Sequence, residues 1–200
     1  MGGVIFFMLY AQKTGIGAYY DYCDELLEDI YGQISIGTSI GFYDGLCGIG
    51  WGIEFLIKNN LTEGNTDELM EDIDKFVMER NPERMIERSF RSGLGGVLYY
   101  VTSRLKSFDR ENNALPFDRE YLLSLKTAVN RPFSEKDEIP DGLVDDFNAI
   151  MQQGVIDYNT PISLPKFMFQ DLPNDLSDIH SIPLGIEKGL TGVALKRILP

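Results

Sequence analysis

Histidine occurs once in these 200 residues, tryptophan once and cysteine twice. Two cysteines without a close-spaced partner argue against a disulfide framework and fit a reducing compartment, so the expected location is the cytoplasm. The one histidine, His180, stands in Asp178-Ile179-His180-Ser181 with no cysteine beside it. Basic residues are also scarce. Eighteen Lys and Arg against 31 Asp and Glu give a formal net charge of −13, a balance that repels nucleic acid and anionic membranes, so neither is an expected partner. The apolar opening MGGVIFFMLY, at 1–10, lacks a basic leader, a cleavage site and the roughly 20 apolar residues of a membrane span. It reads as a buried helix, and its abrupt start reads as a chain that begins inside a repeat.

What the chain does have is repetition. Gly45-Leu46-Cys47-Gly48, Gly93-Leu94-Gly95-Gly96 and Gly189-Leu190-Thr191-Gly192 recur at intervals of 48 and then 96 residues. A fixed period of this size marks a repeat architecture, and each repeat is then one supersecondary unit. The copy due near 141 is present only as Gly142-Leu143-Val144-Asp145, without its second glycine, so this repeat has drifted. Gly2-Gly3 before Val4-Ile5-Phe6-Phe7 fits the same position in an earlier repeat.

Each glycine word opens a segment that is apolar on most sides: Ile49 to Ile57 after the first, Val97 to Leu105 after the second. Such helices belong in an interior. Between them lie amphipathic segments with acidic faces, at 18–34 and 66–80. In the latter, Leu69, Met70, Ile73, Phe76 and Val77 form the stripe, and Asp67, Glu71, Asp72 and Asp74 are assigned to the water-facing side. Asn65 with Glu68 three residues later is a helix start, and Asn59, Asn60 and Gly64 end the helix before it. A third outer helix is expected from Asp118 to about Val129, stopped by Arg131-Pro132, and another helix from Asp141 to Gln153. Residues 157–188, with Pro161, Pro165, Pro173 and Pro183, read as an irregular connection. An inner apolar helix alternating with an outer amphipathic one, about 48 residues per pair, predicts an all-α helical-hairpin solenoid or closed toroid.

The candidate site residues follow from that arrangement. Gly45, Gly48, Gly93, Gly96, Gly189 and Gly192 either let backbones approach closely or leave first-turn amides free to hold an anion or carboxylate, and close packing is the simpler use. Cys47 lies inside a glycine word, as a metal ligand, a nucleophile or a small buried residue; Cys23 lies on an apolar stripe and reads as core. His180 is an acid or base only if its loop swings towards a site. Asp44 precedes Gly45. Glu54 sits inside an apolar helix, where a carboxylate has to face a polar cavity or pair across to a neighbour such as Arg104 or Lys58. Arg84, Arg88 and Arg91 form a small basic cluster suited to a carboxylate or phosphate, with salt bridging to the acidic helices as the simpler role.

GFYDGLCGIGWGIEFLIKNN (41–60), SGLGGVLYYVTSRL (92–105) and LGIEKGLTGVALKRIL (184–199) resemble the glycine-rich inner-helix starts of the lanthionine synthetase C-like family, in particular versions from gut Bacteroides-type bacteria. The resemblance covers residues 1–107 and 184–199 well and the middle poorly. It implies an α/α toroid of seven inner and seven outer helices, of which this chain reads as about four hairpins in one partial domain at 1–200. In active members it implies a zinc-dependent cyclase, which adds a thiolate of a precursor peptide to a dehydrated residue and closes a thioether ring; zinc lowers the thiol pKa and holds the nucleophile. Such members carry the zinc on two Cys and one His, in words this chain does not contain, so no zinc residue carries over and no cofactor is expected here. The partner implied is a peptide substrate, with self-association or a missing C-terminal half completing the ring. A non-catalytic helical-repeat module for peptides or proteins is the alternative, and a glycan-degrading or prenyl-transferring toroid enzyme a further one.

Overall fold

The computed structural model describes residues 1–107, 115–153, 161–165, 180, 182–186 and 189–199. Over these residues the chain is all-α, without a strand: α1 (Gly2–Thr14), α2 (Ala18–Gln33), α3 (Leu46–Lys58), α4 (Thr66–Met78), α5 (Leu94–Ser107), α6 (Arg119–Val129), α7 (Leu143–Gln153) and α8 (Leu190–Ile198). Most of the connection expected at 157–188 lies outside the described residues; 161–165 carry no helix. The helices fall into two compact units, one holding α1, α2 and α8, the other α3 to α7.

In the larger unit α5 packs between α3 and α7, while α4 lies on α3 and α6 on α5. Helix boundaries follow local chemistry. Asn65 accepts a hydrogen bond from the Asp67 amide and its side-chain amide donates to Glu68 Oε1 at 3.0 Å, so the free first-turn donors of α4 gain a partner. Asp118 does the same for α6, accepting from the Tyr121 amide at 2.6 Å. Both α3 and α5 are buried over most of their surface, with Trp51, Phe55 and Leu56 on one and Val97, Leu98, Tyr100 and Val101 on the other. Phe42, Phe90, Trp51 and Tyr99 join them in an aromatic cluster, Phe42 and Phe90 having ring centres 4.9 Å apart. Fully burying side chains of this size contributes about 1.5–3 kcal/mol each.

The glycine words open these helices through one repeated turn. α3, α5 and α8 each start at the leucine of a word, and that leucine's amide donates to the carbonyl seven residues earlier: Leu46 to Ser39 at 2.8 Å, Leu94 to Glu87 at 3.0 Å, Leu190 to Pro183 at 2.9 Å. The glycine just before it lies against the same carbonyl. A Cβ at Gly45, Gly93 or Gly189 would collide with the oxygen of Ser39, Glu87 or Pro183, and one at Gly48 or Gly96 with that of Phe42 or Phe90. Neighbouring turns are also bonded in register: the Phe42 amide donates to Arg91 O at 2.9 Å, and the Phe90 amide to Asp137 O at 2.8 Å. The drifted copy explains itself physically. α7 begins at Leu143, two residues later than Asp141, and the Leu143 amide bonds only to Pro140, three residues back. No atom crowds a Cβ at Gly142, whose φ of 75° is instead the left-handed conformation glycine tolerates. Without the folded-back loop, the second glycine has nothing to make room for.

The smaller unit pairs α1 with α2 and with α8. Val4, Ile5, Met8 and Ala11 are buried, so α1 is buried along one stripe, half-exposed elsewhere and exposed at Gln12 to Thr14. Cys23 is the fully buried residue of α2 and its thiol donates to the Val4 carbonyl at 3.6 Å. α1 ends at Gly15, in the left-handed region at φ 71°, whose amide returns to Ala11 O.

Replacing Gly48 by alanine is expected to destabilise the larger unit by on the order of 1–3 kcal/mol, because the intruding methyl meets rigid backbone rather than a side chain that can turn away. Gly3 in α1 has open space at its Cβ, so Gly3→Ala is expected to be neutral or to stabilise by up to about 1 kcal/mol. Urea unfolding of the two variants measures the contrast.

Candidate functional site

The larger unit encloses a charge cluster built by three helices. Glu54 comes from the middle of α3, Asp67 and Asp74 from α4 two turns apart, and Tyr100 and Arg104 from successive turns of α5. Arg104 is 2% exposed and donates from all three guanidinium nitrogens: Nη1 to Glu54 at 3.4 Å, Nη2 to Asp67 at 2.6 Å and Nε to Asp74 at 3.2 Å. Tyr100 donates its hydroxyl to the other oxygen of Asp74. Glu54 is fully buried, and its Oε2 makes no hydrogen bond. The pairing of Glu54 with Arg104 is one of the two partnerships read from the sequence.

Burial dominates the electrostatics. Loss of water pushes Glu54 up to about 7, against the pull of Arg104 and with a further push from Asp74. Burial likewise raises Asp74 to about 6, opposed by Arg104 and by the Tyr100 hydrogen bond. Burial works against the charge of Arg104, but Glu54 and Asp74 hold its pKa above the ordinary value. Two carboxylic acids near neutrality beside a cation would serve acid–base chemistry in an open cleft. Here Glu54 and Asp74 are buried where α4 meets α3 and α5, so their geometry serves to fasten helices.

Asp74 is where the sequence reading needs correction. Expected on the water-facing side of α4, it is 3% exposed. Its position carries the signal: Met70, Ile73, Asp74 and Val77 stand at i, i+3, i+4 and i+7, and all four are buried. The one acidic residue on that stripe needs a cation, and Arg104 is the buried one available.

The other candidates lie apart from this cluster. Asp44 and His180 are exposed. Cys47, the second residue of α3, is fully buried, and burial, reinforced by Asp74, pushes its thiol well above the ordinary value; it is held as a thiol, packed as a small apolar group. Gly45, Gly93 and Gly189 have the space at their Cα filled by loop carbonyls, so these helix starts are close backbone packing; Gly192 is buried in α8. Arg91 is exposed, its guanidinium 5.2 Å from the Tyr43 ring centre. Arg88 departs from the salt-bridge role expected of its cluster: it donates to the carbonyls of Ala128 and Arg131 at the end of α6 and stacks on Phe133 at 4.3 Å. Ala128 O lies in the last turn of α6, where a cation is favoured by the helix dipole.

Two of the concavities among the described residues are the larger ones. In the smaller unit α1, α2 and α8 line a largely apolar cleft of about 480 Å³, with Phe6, Phe7, Leu26, Ile30 and Leu190 on its walls. In the larger unit an open cleft of about 690 Å³ runs between the end of α4, the Pro82–Arg84 turn and α6, lined by Glu79, Glu83, Asp118, Arg119 and Glu120.

The described residues do not fit a zinc centre. Among the described residues no three His, Cys, Asp or Glu side chains gather as a metal-holding group. Cys47 is sealed as a protonated thiol, Cys23 has its own thiol hydrogen bond and a pKa pushed up to about 11, and the carboxylates that do gather are already held by Arg104. No step through zinc is derived for this chain. In comparisons with family models, curated proteins and solved structures, none matches the chain.

Arg104→Met is expected to cost about 3–5 kcal/mol, because it strands two buried carboxylates, whereas Glu71→Gln, which removes the exposed Lys75 pair, is expected to leave stability almost unchanged. Urea unfolding distinguishes them. Both cysteines are expected to resist a thiol reagent in the folded chain and to react fully once urea unfolds it, read by absorbance of the released chromophore.

Proposed function

We propose that this chain is a lanthionine synthetase C-like protein, its hairpins belonging to an α/α toroid, which binds peptide and does not by itself carry out zinc-dependent thioether closure. The observation that carries the reading is the repeated turn at Leu46, Leu94 and Leu190, which gives the Gly-Leu-x-Gly words of the resemblance one shared structural purpose. The protein's relation is then to peptide cyclases through architecture and not through chemistry. The missing ligand words and the protonated, enclosed state of Cys47 support the second half of the proposal. Two free cysteines, both buried, fit a reducing cytoplasm.

A second reading, a helical-repeat binding module without cyclase ancestry, is favoured by two observations. The acidic side chains that gather, Glu54, Asp67 and Asp74, are all engaged in holding helices together, and the apolar cleft beside α1 is the kind of surface that takes a peptide's apolar side chain. The same engagement keeps Glu54, Asp67 and Asp74 from serving as the open acid pair that a glycan-degrading enzyme needs.

The test uses the purified 200-residue chain, elemental analysis and a fluorescent dehydroalanine peptide that also contains cysteine. Zinc well below one per chain, saturable peptide binding and no loss of the peptide's free thiol are expected. Stoichiometric zinc with consumption of that thiol overturns the non-cyclising part, and absence of peptide binding overturns the binding part.

A further inference from the structure

The cluster around Arg104 is unbalanced. Three carboxylates, Glu54, Asp67 and Asp74, contact one guanidinium, and two of the three are enclosed with it. If all three were ionised, a buried region would hold an excess of negative charge in a medium that solvates it poorly. The neighbouring groups do not supply the missing positive charge. On α3, Cys47 is a buried thiol and Lys58, a half-buried residue at the end of the helix, draws Glu54 down less than Arg104 does. On α5, Tyr100 is neutral and donates to Asp74, and the neutral Ser107 hydroxyl, bonded to the Ser103 carbonyl, also stands beside Glu54 and draws its pKa down without adding charge. On α6, Tyr121 is buried and neutral, and its hydroxyl makes no hydrogen bond. Glu54 Oε2, buried and without a partner, is the atom a proton would neutralise at least structural cost.

We propose that the Glu54–Asp74–Arg104 cluster holds one proton on its carboxylates in the folded protein, so that the fastening of α4 onto α3 and α5 is a pH-sensitive device, tight in acid solution and weakened as the pH rises to neutrality. The sign follows from linkage. Glu54 at about 7 and Asp74 at about 6 lie above the ordinary carboxylate range, so the folded chain binds more protons than the unfolded one. The stabilisation is complete below the ordinary carboxylate range and is lost as pH rises through about 7. The proton stays within the pair, and which of the two oxygens carries it does not alter the outcome. The device is independent of whether the chain binds peptide.

Trp51, the single tryptophan, lies in α3 one turn from Glu54 and reports on this unit alone. Urea unfolding of the full chain, followed by its fluorescence, is expected to give a midpoint that falls as pH is raised from about 5 to about 8, and Glu54→Gln, which keeps the shape and removes the titration, is expected to lose most of that fall. A wild-type midpoint that is level or rises across this range overturns the proposal, as does a fall that persists undiminished in E54Q. If E54Q does not fold, infrared spectroscopy of the wild-type chain near pH 6 decides. A protonated carboxylic acid band that disappears by about pH 8 supports the proton, and its absence near pH 6 overturns it.

Discussion

A backbone carbonyl pressed against a glycine Cα is the contact on which the larger unit depends. It sets where α3 and α5 begin, since the amide that starts each helix donates to a carbonyl of the same folded-back loop. The loop in turn carries Phe42 and Phe90, whose rings fill the space between the two helices and whose amides bond to the next turn along. Helix start, aromatic packing and repeat-to-repeat bonding are therefore one arrangement seen at three scales. Residues with a side chain are excluded at Gly48 and Gly96 by a hard backbone contact, which is why the words persist where the loop folds back and lapse at Gly142 where it does not.

The second organising element is Arg104. Acidic helices on a chain with net charge −13 repel one another, and the apolar stripe of α4 has to be held against α3 and α5 in spite of that. One guanidinium reaching Glu54, Asp67 and Asp74 ties all three helices at a single point. A buried ion cluster of this kind contributes less to net stability than to choosing one arrangement, since an apolar packing could bury as much surface without fixing which carboxylate meets which nitrogen.

Much of the fold was legible in the sequence because its signals are local. Asn65 and Asp118 announce helix starts through side chains that reach only two or three residues, and Gly45 and Gly93 recur at a countable interval. Glu54 was legible as a carboxylate needing a partner, with Arg104 among those named. Asp74 was not, because its identity as an acid outweighed its place on the stripe with Met70, Ile73 and Val77. The capping role of Arg88 was likewise hidden: its partners are carbonyls of α6, some 40 residues away, and carbonyls leave no mark on a sequence.

The bonds from Phe42 to Arg91 and from Phe90 to Asp137 have a consequence for how disorder spreads. Each turn lends an acceptor to the turn before it, so α3, α5 and α7 are coupled as nearest neighbours in a row, and the free energy of opening depends on position along that row. α5, bonded through its turn on both sides, is the hub of cooperativity. α7, whose own turn lacks the folded-back loop, borders it on one side, so an opening that begins at α7 has only one such interface to break before the rest of the row feels it.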